Sequence, residues 1–206
     1  MPPDVSRSKP LPIAVLLSGG GTTMVNLAER INSGALDAEV RLVVASNDKA
    51  GGIAKARAFG LPCAVVKRKE FDNSAAYSQR IFGLVRDAGC ELVCLAGFLS
   101  LLVIPEDFDR RVMNIHPSLL PAFGGKGMHG RHVHEAVLGA GETVSGCTVH
   151  FADNTYDTGP IVLQRTCPVL PEDTPETLAA RVFEQECEAY PEAIQEFIEH
   201  RRSRLV

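Results

Sequence analysis

Seven successive apolar residues, Leu11-Pro12-Ile13-Ala14-Val15-Leu16-Leu17, stop at Ser18-Gly19-Gly20-Gly21-Thr22-Thr23, and helical spacing then runs from Met24 to Ile31. An apolar run that does not alternate reads as a strand buried on both faces, as in a parallel sheet covered by helices. A glycine turn between such a strand and a helix start suits an anion, because free helix N–H groups and the helix dipole favour negative charge. Gly19 and Gly21 fit the first half of G-x-G-x-x-G, but Met24 stands where the third glycine belongs and a Walker A lysine is missing. A dinucleotide is therefore disfavoured. A single phosphate monoester and a glycine turn without a ligand both remain as readings.

The same alternation of strand and helix continues. Ala38–Ala45 predicts a second strand, Gly51–Phe59 a short helix closed by Gly60, and Cys63–Val66 a third strand. Ser74–Ala88 predicts an amphipathic helix, Leu92–Ala96 a fourth strand and Arg111–Ile115 a fifth. A helix over His132–Leu138, strands over Thr143–Phe151 and Ile161–Cys167, the latter pair antiparallel, and a helical Thr174–His200 complete the chain. Thr174 is an N-cap candidate with Pro175 at the first helical position, and with Thr177 at N3 there is no full capping box. Pro191 is expected to kink or break that helix. The pattern predicts an α/β fold: a mainly parallel, twisted, Rossmann-like sheet with helices on both faces and an antiparallel strand pair near the C-terminus. With 206 residues and no internal repeat or linker, residues 11–206 read as a single domain behind a polar, disordered lead-in at 1–10.

Net charge of −4 disfavours nucleic acid and anionic membranes as partners. The six cysteines include no C-x-x-C pair, so they read as thiols of a reducing cytoplasm rather than disulfides or zinc ligands. The apolar run at 11–17 is too short for a membrane span, and a secretory signal is disfavoured.

Chemistry is concentrated in Asn114-Ile115-His116-Pro117-Ser118-Leu119-Leu120-Pro121. In an extended segment a period of two points Asn114 and His116 to one side, and Pro117 holds His116 out of the α region. An amide donor beside an imidazole suits acyl or formyl transfer, where the amide binds a developing oxyanion and the imidazole moves protons. The alternative is a strand edge whose polar residues cap a turn. Other segments also carry two readings. Gly97-Phe98-Leu99-Ser100-Leu101-Leu102 is either core or an aromatic-ring pocket at the carboxyl end of the sheet. Lys67-Arg68-Lys69 is either solvated surface or a docking point for an acidic tail. His129, His132 and His134 in the Gly-rich loop from Ala122 lack the spacing of a zinc site, and a mobile loop covering a substrate is preferred.

Three segments together resemble the phosphoribosylglycinamide formyltransferases: Ser18–Thr23, Asn114–Pro121, and Thr148-Val149-His150-Phe151 leading to Asp157-Thr158-Gly159-Pro160-Ile161. The resemblance runs from about residue 11 to 195 in order. The Asn-Ile-His-Pro-Ser-Leu-Leu-Pro run is shared with the wider formyltransferase superfamily. A frame without an additional C-terminal or N-terminal regulatory domain is what selects this member over methionyl-tRNA formyltransferase and formyltetrahydrofolate deformylase. The resemblance implies formyl transfer from 10-formyltetrahydrofolate, a co-substrate, to the amine of glycinamide ribonucleotide, without a metal and in a monomer or homodimer. It implies Asn114, His116 and Asp157 as catalytic residues, with Asp157 orienting His116 and raising its pKa. It implies Gly20, Gly21, Thr22 and Thr23 on the phosphate side, Glu186 near the ribose, Leu99, Ser100, Leu101, Leu102 and Asn114 at the folate, and Thr148 as a supporting hydroxyl. Ser74 also falls at the folate site, and both Ser74 and Ser100 stand where relatives can carry an arginine. Tail binding then falls to Lys67, Arg68 or Lys69. Two rivals stay in view: hydrolysis of formyltetrahydrofolate by the same triad, and a non-enzymatic nucleotide-binding module using the Ser18–Thr23 turn.

Overall fold

The computed structural model describes residues 9–203. Most of the expected lead-in, residues 1–8, lies outside the described residues. Strands β1 (Leu11–Leu17), β2 (Ala38–Ala45), β3 (Cys63–Val65), β4 (Leu92–Leu95), β5 (Val112–His116), β6 (Val144–Phe151) and β7 (Ile161–Pro168) form one sheet in the order β3-β2-β1-β4-β5-β6-β7. The first five are parallel, and β6 and β7 are antiparallel to their neighbours. Helices are α1 (Thr22–Asn32), α2 (Gly52–Ala58), α3 (Ser74–Asp87), α4 (Arg131–Gly139) and α5 (Pro175–Ser203).

The apolar run of β1 works as its composition demands. Ile13, Val15 and Leu17 face a core shared with α1, α2, α4 and α5, while Ala14 and Leu16 face a second core under α3. A central strand covered on both sides needs apolar residues at every position. The chain changes direction across the sheet between β1 and β4, the switch point where α/β folds open a crevice at the carboxyl ends of their strands. The loops leaving those two strands are tied together there. The Ser18 N–H donates to the Gly97 carbonyl at 3.0 Å, and the Leu99 N–H donates to Ser18 Oγ at 3.1 Å.

Gly21 shows why the turn after β1 is glycine-rich. It caps α1 in the left-handed region (φ 70°), and a Cβ there would lie 2.6 Å from the Gly52 Cα. Only glycine lets the α1 and α2 starts approach this closely.

Three local expectations are corrected. β5 begins at Val112 and includes His116, one residue later than predicted, because its pairing with β6 extends to the end of the segment. The terminal helix does not stop at Pro191; it continues to Ser203. Pro191 lacks an N–H, which leaves the Cys187 carbonyl without its helical partner. Asn26 of α1 supplies one, its Nδ2 donating to that oxygen at 3.0 Å. At the helix start the reciprocal cap does form, with hydroxyls: Thr177 N–H to Thr174 Oγ1 (3.3 Å) and Thr174 N–H to Thr177 Oγ1 (2.9 Å). All six cysteines are free thiols, and among the described residues no helix is long and apolar enough to cross a membrane.

Candidate active site

Antiparallel pairing places β6 opposite the carboxyl end of β5, with Asn114 across from His150 and His116 across from Thr148. The period of two then does what the sequence predicts: Asn114 and His116 project to the same side and meet Asp157 from the turn after β6. Asp157 adopts φ 57°, a left-handed conformation that Asp tolerates better than most residues. Its Oδ2 accepts the Gly125 N–H at 2.9 Å and lies 3.6 Å from His116 Nδ1. Its Oδ1 lies 3.5 Å from Asn114 Nδ2 and 3.6 Å from His150 Nε2. At 3.6 Å neither separation is a hydrogen bond, and each becomes an ion pair only when its ring is protonated.

His116 is buried, 4% exposed, and its Nε2 donates to the Phe123 carbonyl at 2.9 Å. The neutral ring therefore turns the Nδ1 lone pair toward Asp157. Burial lowers its pKa, and the upward pull of Asp157 does not overcome that. Asp157 acts upward as expected, but burial outweighs it: His116 rests neutral at pH 7, with a carboxylate placed to receive its cation. Burial pushes Asp157 upward, but His150, the Gly125 amide and His116 outweigh it and hold the carboxyl below its ordinary value.

Sequence reasoning passed over His150. It is 1% exposed, and its Nε2 lies 3.0 Å from Asn114 Nδ2 while Nδ1 lies 3.0 Å from the Phe151 carbonyl. The network assigns the proton to Nδ1, so Nε2 accepts from the Asn114 amide and fixes which way that amide points. The signal was present in the alternation of Thr148 and His150 along β6.

A cleft of about 530 Å³ opens over these groups. Asn114, His116, Asp157, Thr23, Leu99 and Glu186 all line it. So does the loop from Gly125 to Gly130, including Lys126 and His129, whereas His132 is exposed beside Glu135. Of the glycine turn, Gly20 and Thr22 are exposed and Gly21 is buried at the α1 start, so Thr23 alone of the four enters the cleft lining. Ser100, Leu101 and Leu102 line a smaller pocket of about 60 Å³ that shares Phe98, Asn114, Tyr156 and Asp157 with the cleft. Two further expected residues lie apart. Ser74 lines neither cavity; its Oγ is 3.4 Å from Arg68 Nη2. Thr148 is wholly buried, donating to the Ser118 carbonyl (2.7 Å) and accepting from the Leu120 N–H (3.0 Å), so it shapes the 118–121 turn from beneath. Among the described residues no group of three or more His, Cys, Asp or Glu is arranged to hold a metal ion.

Burial lifts the Glu186 carboxyl to about 7. Its folded-state pKa is raised, so the folded protein holds a proton that the unfolded chain loses, and stability falls as pH rises from roughly 4.5 to about 7. Glu186→Gln, neutral throughout, is expected to melt above the parent at pH 8 and together with it at pH 4. Calorimetry at the two pH values checks this, and equal melting at pH 8 would contradict it.

An oxyanion donor and a proton carrier, side by side without a serine or cysteine nucleophile between them, suit an acyl-group transferase whose nucleophile arrives with a second substrate. Residues 11–194 match the formyl transferase family, and the chain belongs to it. It is 39% identical over 191 residues to the chloroplastic phosphoribosylglycinamide formyltransferase of Vigna unguiculata, covering 92% of this chain and 61% of the relative. To the Haemophilus influenzae phosphoribosylglycinamide formyltransferase it is 36% identical over 191 residues, 92% of this chain and 88% of that one. The chain thus spans less than two thirds of the plant relative's length. Among solved structures, glycinamide ribonucleotide transformylase 1 from Symbiobacterium toebii superposes with a TM-score of 0.88 at 36% identity, covering 95% of this chain and 91% of that one. The phosphoribosylglycinamide formyltransferase of Brucella melitensis gives 0.82 at 38%, covering 92% and 96%.

Proposed function

We propose that the protein transfers the formyl group of 10-formyltetrahydrofolate to the primary amine of 5-phosphoribosylglycinamide, a step of de novo purine synthesis. The convergence of Asn114, His116 and Asp157 on one cleft, with Thr23 and Glu186 lining it too, carries this reading. The neutral amine attacks the formyl carbon, and charge collects on the formyl oxygen. One Asn114 N–H is held by His150; the other makes only the long 3.5 Å approach to Asp157 and is free to turn to that oxygen. His116, neutral at rest, takes the proton the amine must lose, and Asp157 stabilises the resulting imidazolium, which also adds positive charge near the oxyanion. Proton delivery to N10 runs through His116 or a water held by Asp157, and the C–N10 bond breaks. Thr23 and the α1 N-terminus receive the phosphate side, Glu186 the ribose, and Leu99 to Leu102 the pteridine.

Mixing the protein with glycinamide ribonucleotide and a 10-formylfolate donor, and following deformylated folate by absorbance, tests the reading. Turnover that requires the ribonucleotide supports it. Turnover without it means hydrolysis, and silence in both returns the site to a binding module. The cytoplasm is the proposed location, and the state a monomer or homodimer, to be checked by sedimentation.

For the folate tail, Lys67 is already paired with Asp48 (2.6 Å), whereas Arg68 donates to the Phe71 carbonyl, sits 5.9 Å over the Tyr77 ring and reaches Ser74 Oγ. Arg68 is therefore preferred to Lys67 as the cation for the tail's carboxylates, with the exposed Lys69 as the alternative. Arg68→Ala is expected to raise KM for a polyglutamated folate about threefold, the scale of an exposed ion pair. Unchanged kinetics would remove the assignment.

A further inference from the structure

His134 has no task in the chemistry above, yet it lies in the first turns of α4, 4% exposed, and lines the cleft. Its Nδ1 is sealed from solvent and has no hydrogen-bond partner among the described residues. An N–H enclosed there would give up its bond to water for nothing, whereas a bare lone pair is tolerated more easily. The neutral ring accordingly carries its proton on Nε2. That nitrogen is the ring's one accessible polar atom, and among the described residues it has no protein partner either. Burial, with His116 nearby, lowers the His134 pKa, which keeps the ring neutral at pH 7. The result is a fixed, uncharged donor facing a cleft.

Its neighbours say what it faces. His116, the proton carrier, stands close enough to repel charge on it. α4 also packs against α5, which brings Ala179, Phe183 and Glu186 to the same cleft. His134 thus shares the cleft with residues of the proposed reacting end and of the proposed ribose end. In the proposed substrate the group joining those ends is a glycinamide linker, whose carbonyl oxygen accepts and cannot donate. We infer that the His134 Nε2–H binds this carbonyl, making His134 a residue that selects amide-linked amines; the inference rests on the function proposed above. A neutral donor suits that place, since a second cation would oppose the His116 imidazolium formed during reaction.

The test pairs a side-chain change with a substrate change. His134→Phe keeps a ring of similar breadth and removes the donor. A ribonucleotide with CH₂ in place of the linker carbonyl removes the acceptor. Each change alone is expected to lower kcat/KM for the ribonucleotide by about tenfold, as for one hydrogen bond, while KM for the formylfolate stays put. The two together should cost little more than either. The analogue's more basic amine affects both enzymes alike and cancels from the comparison. His134→Gln, which restores an N–H donor, should recover discrimination against the analogue, and it serves in the cycle if the Phe variant does not fold. Full discrimination by His134→Phe, or additive losses, would overturn the inference. Absence of turnover by the parent enzyme would instead overturn the function on which it rests.

Discussion

Asn114→Ala is expected to lower kcat by roughly 10²–10³-fold, the usual consequence of losing one oxyanion donor. The ground-state formyl oxygen is neutral and gains little from the amide, so KM for either substrate should change far less than kcat. The fold should survive. Asn114 is only half-buried, and its loss leaves His150 Nε2 without a donor, a deficit of about 1 kcal/mol that lowers Tm by only a few degrees in a chain of this size. Steady-state kinetics beside a melting curve decide the matter. Near-normal kcat, or a drop matched by unfolding, would remove Asn114 from the chemistry.

Asp157→Asn is expected to cost about 10²-fold in kcat, within the range assigned to positioned acid–base groups. Asn is near-isosteric and tolerates the positive φ at this position, so the change isolates charge. Two further readouts carry signs. Removing the carboxylate withdraws the one upward pull of a neighbouring charge on His116, whose pKa then falls further. Activity that needs neutral His116 declines as pH drops, and in the variant this acid limb should move to lower pH. The Asp157 pKa is depressed in the folded protein, so its contribution to stability is present above the ordinary carboxylate pKa of roughly 4 and fades below it. The Tm gap between parent and variant should be widest at pH 7 and close as the solution is acidified. An acid limb that stays fixed would show that Asp157 does not act through His116.

Much of this architecture could be read from residue order. Buried parallel strands announce themselves as unbroken apolar runs, and the Asn114–His116 pair follows from a period of two beside a proline. Asp157 was legible through resemblance, not through physics, since an Asp near Gly159-Pro160 reads as a turn residue. Two features escaped because they depend on partners distant in the chain. His150 looked like one more alternating residue until the β5–β6 register set it against Asn114, 36 positions away. The direction of the His116 shift turns on burial, a property of the packed molecule, competing with a charge that sequence alone could name.

The proline within α5 has a consequence for how the cleft is held open. Cys187, whose freed carbonyl takes the Asn26 amide, is next in sequence to Glu186, and Asn26 lies three residues beyond Thr23 in α1. One bond therefore sets the span between two residues that line the same cleft from different helices. Asn26 and Pro191 are bound to each other as a pair: losing the amide strands a carbonyl, and restoring the helical N–H strands an amide. What looks like a flaw in a helix is the fixed jaw of a caliper, set by α1 on one side of the cleft and α5 on the other.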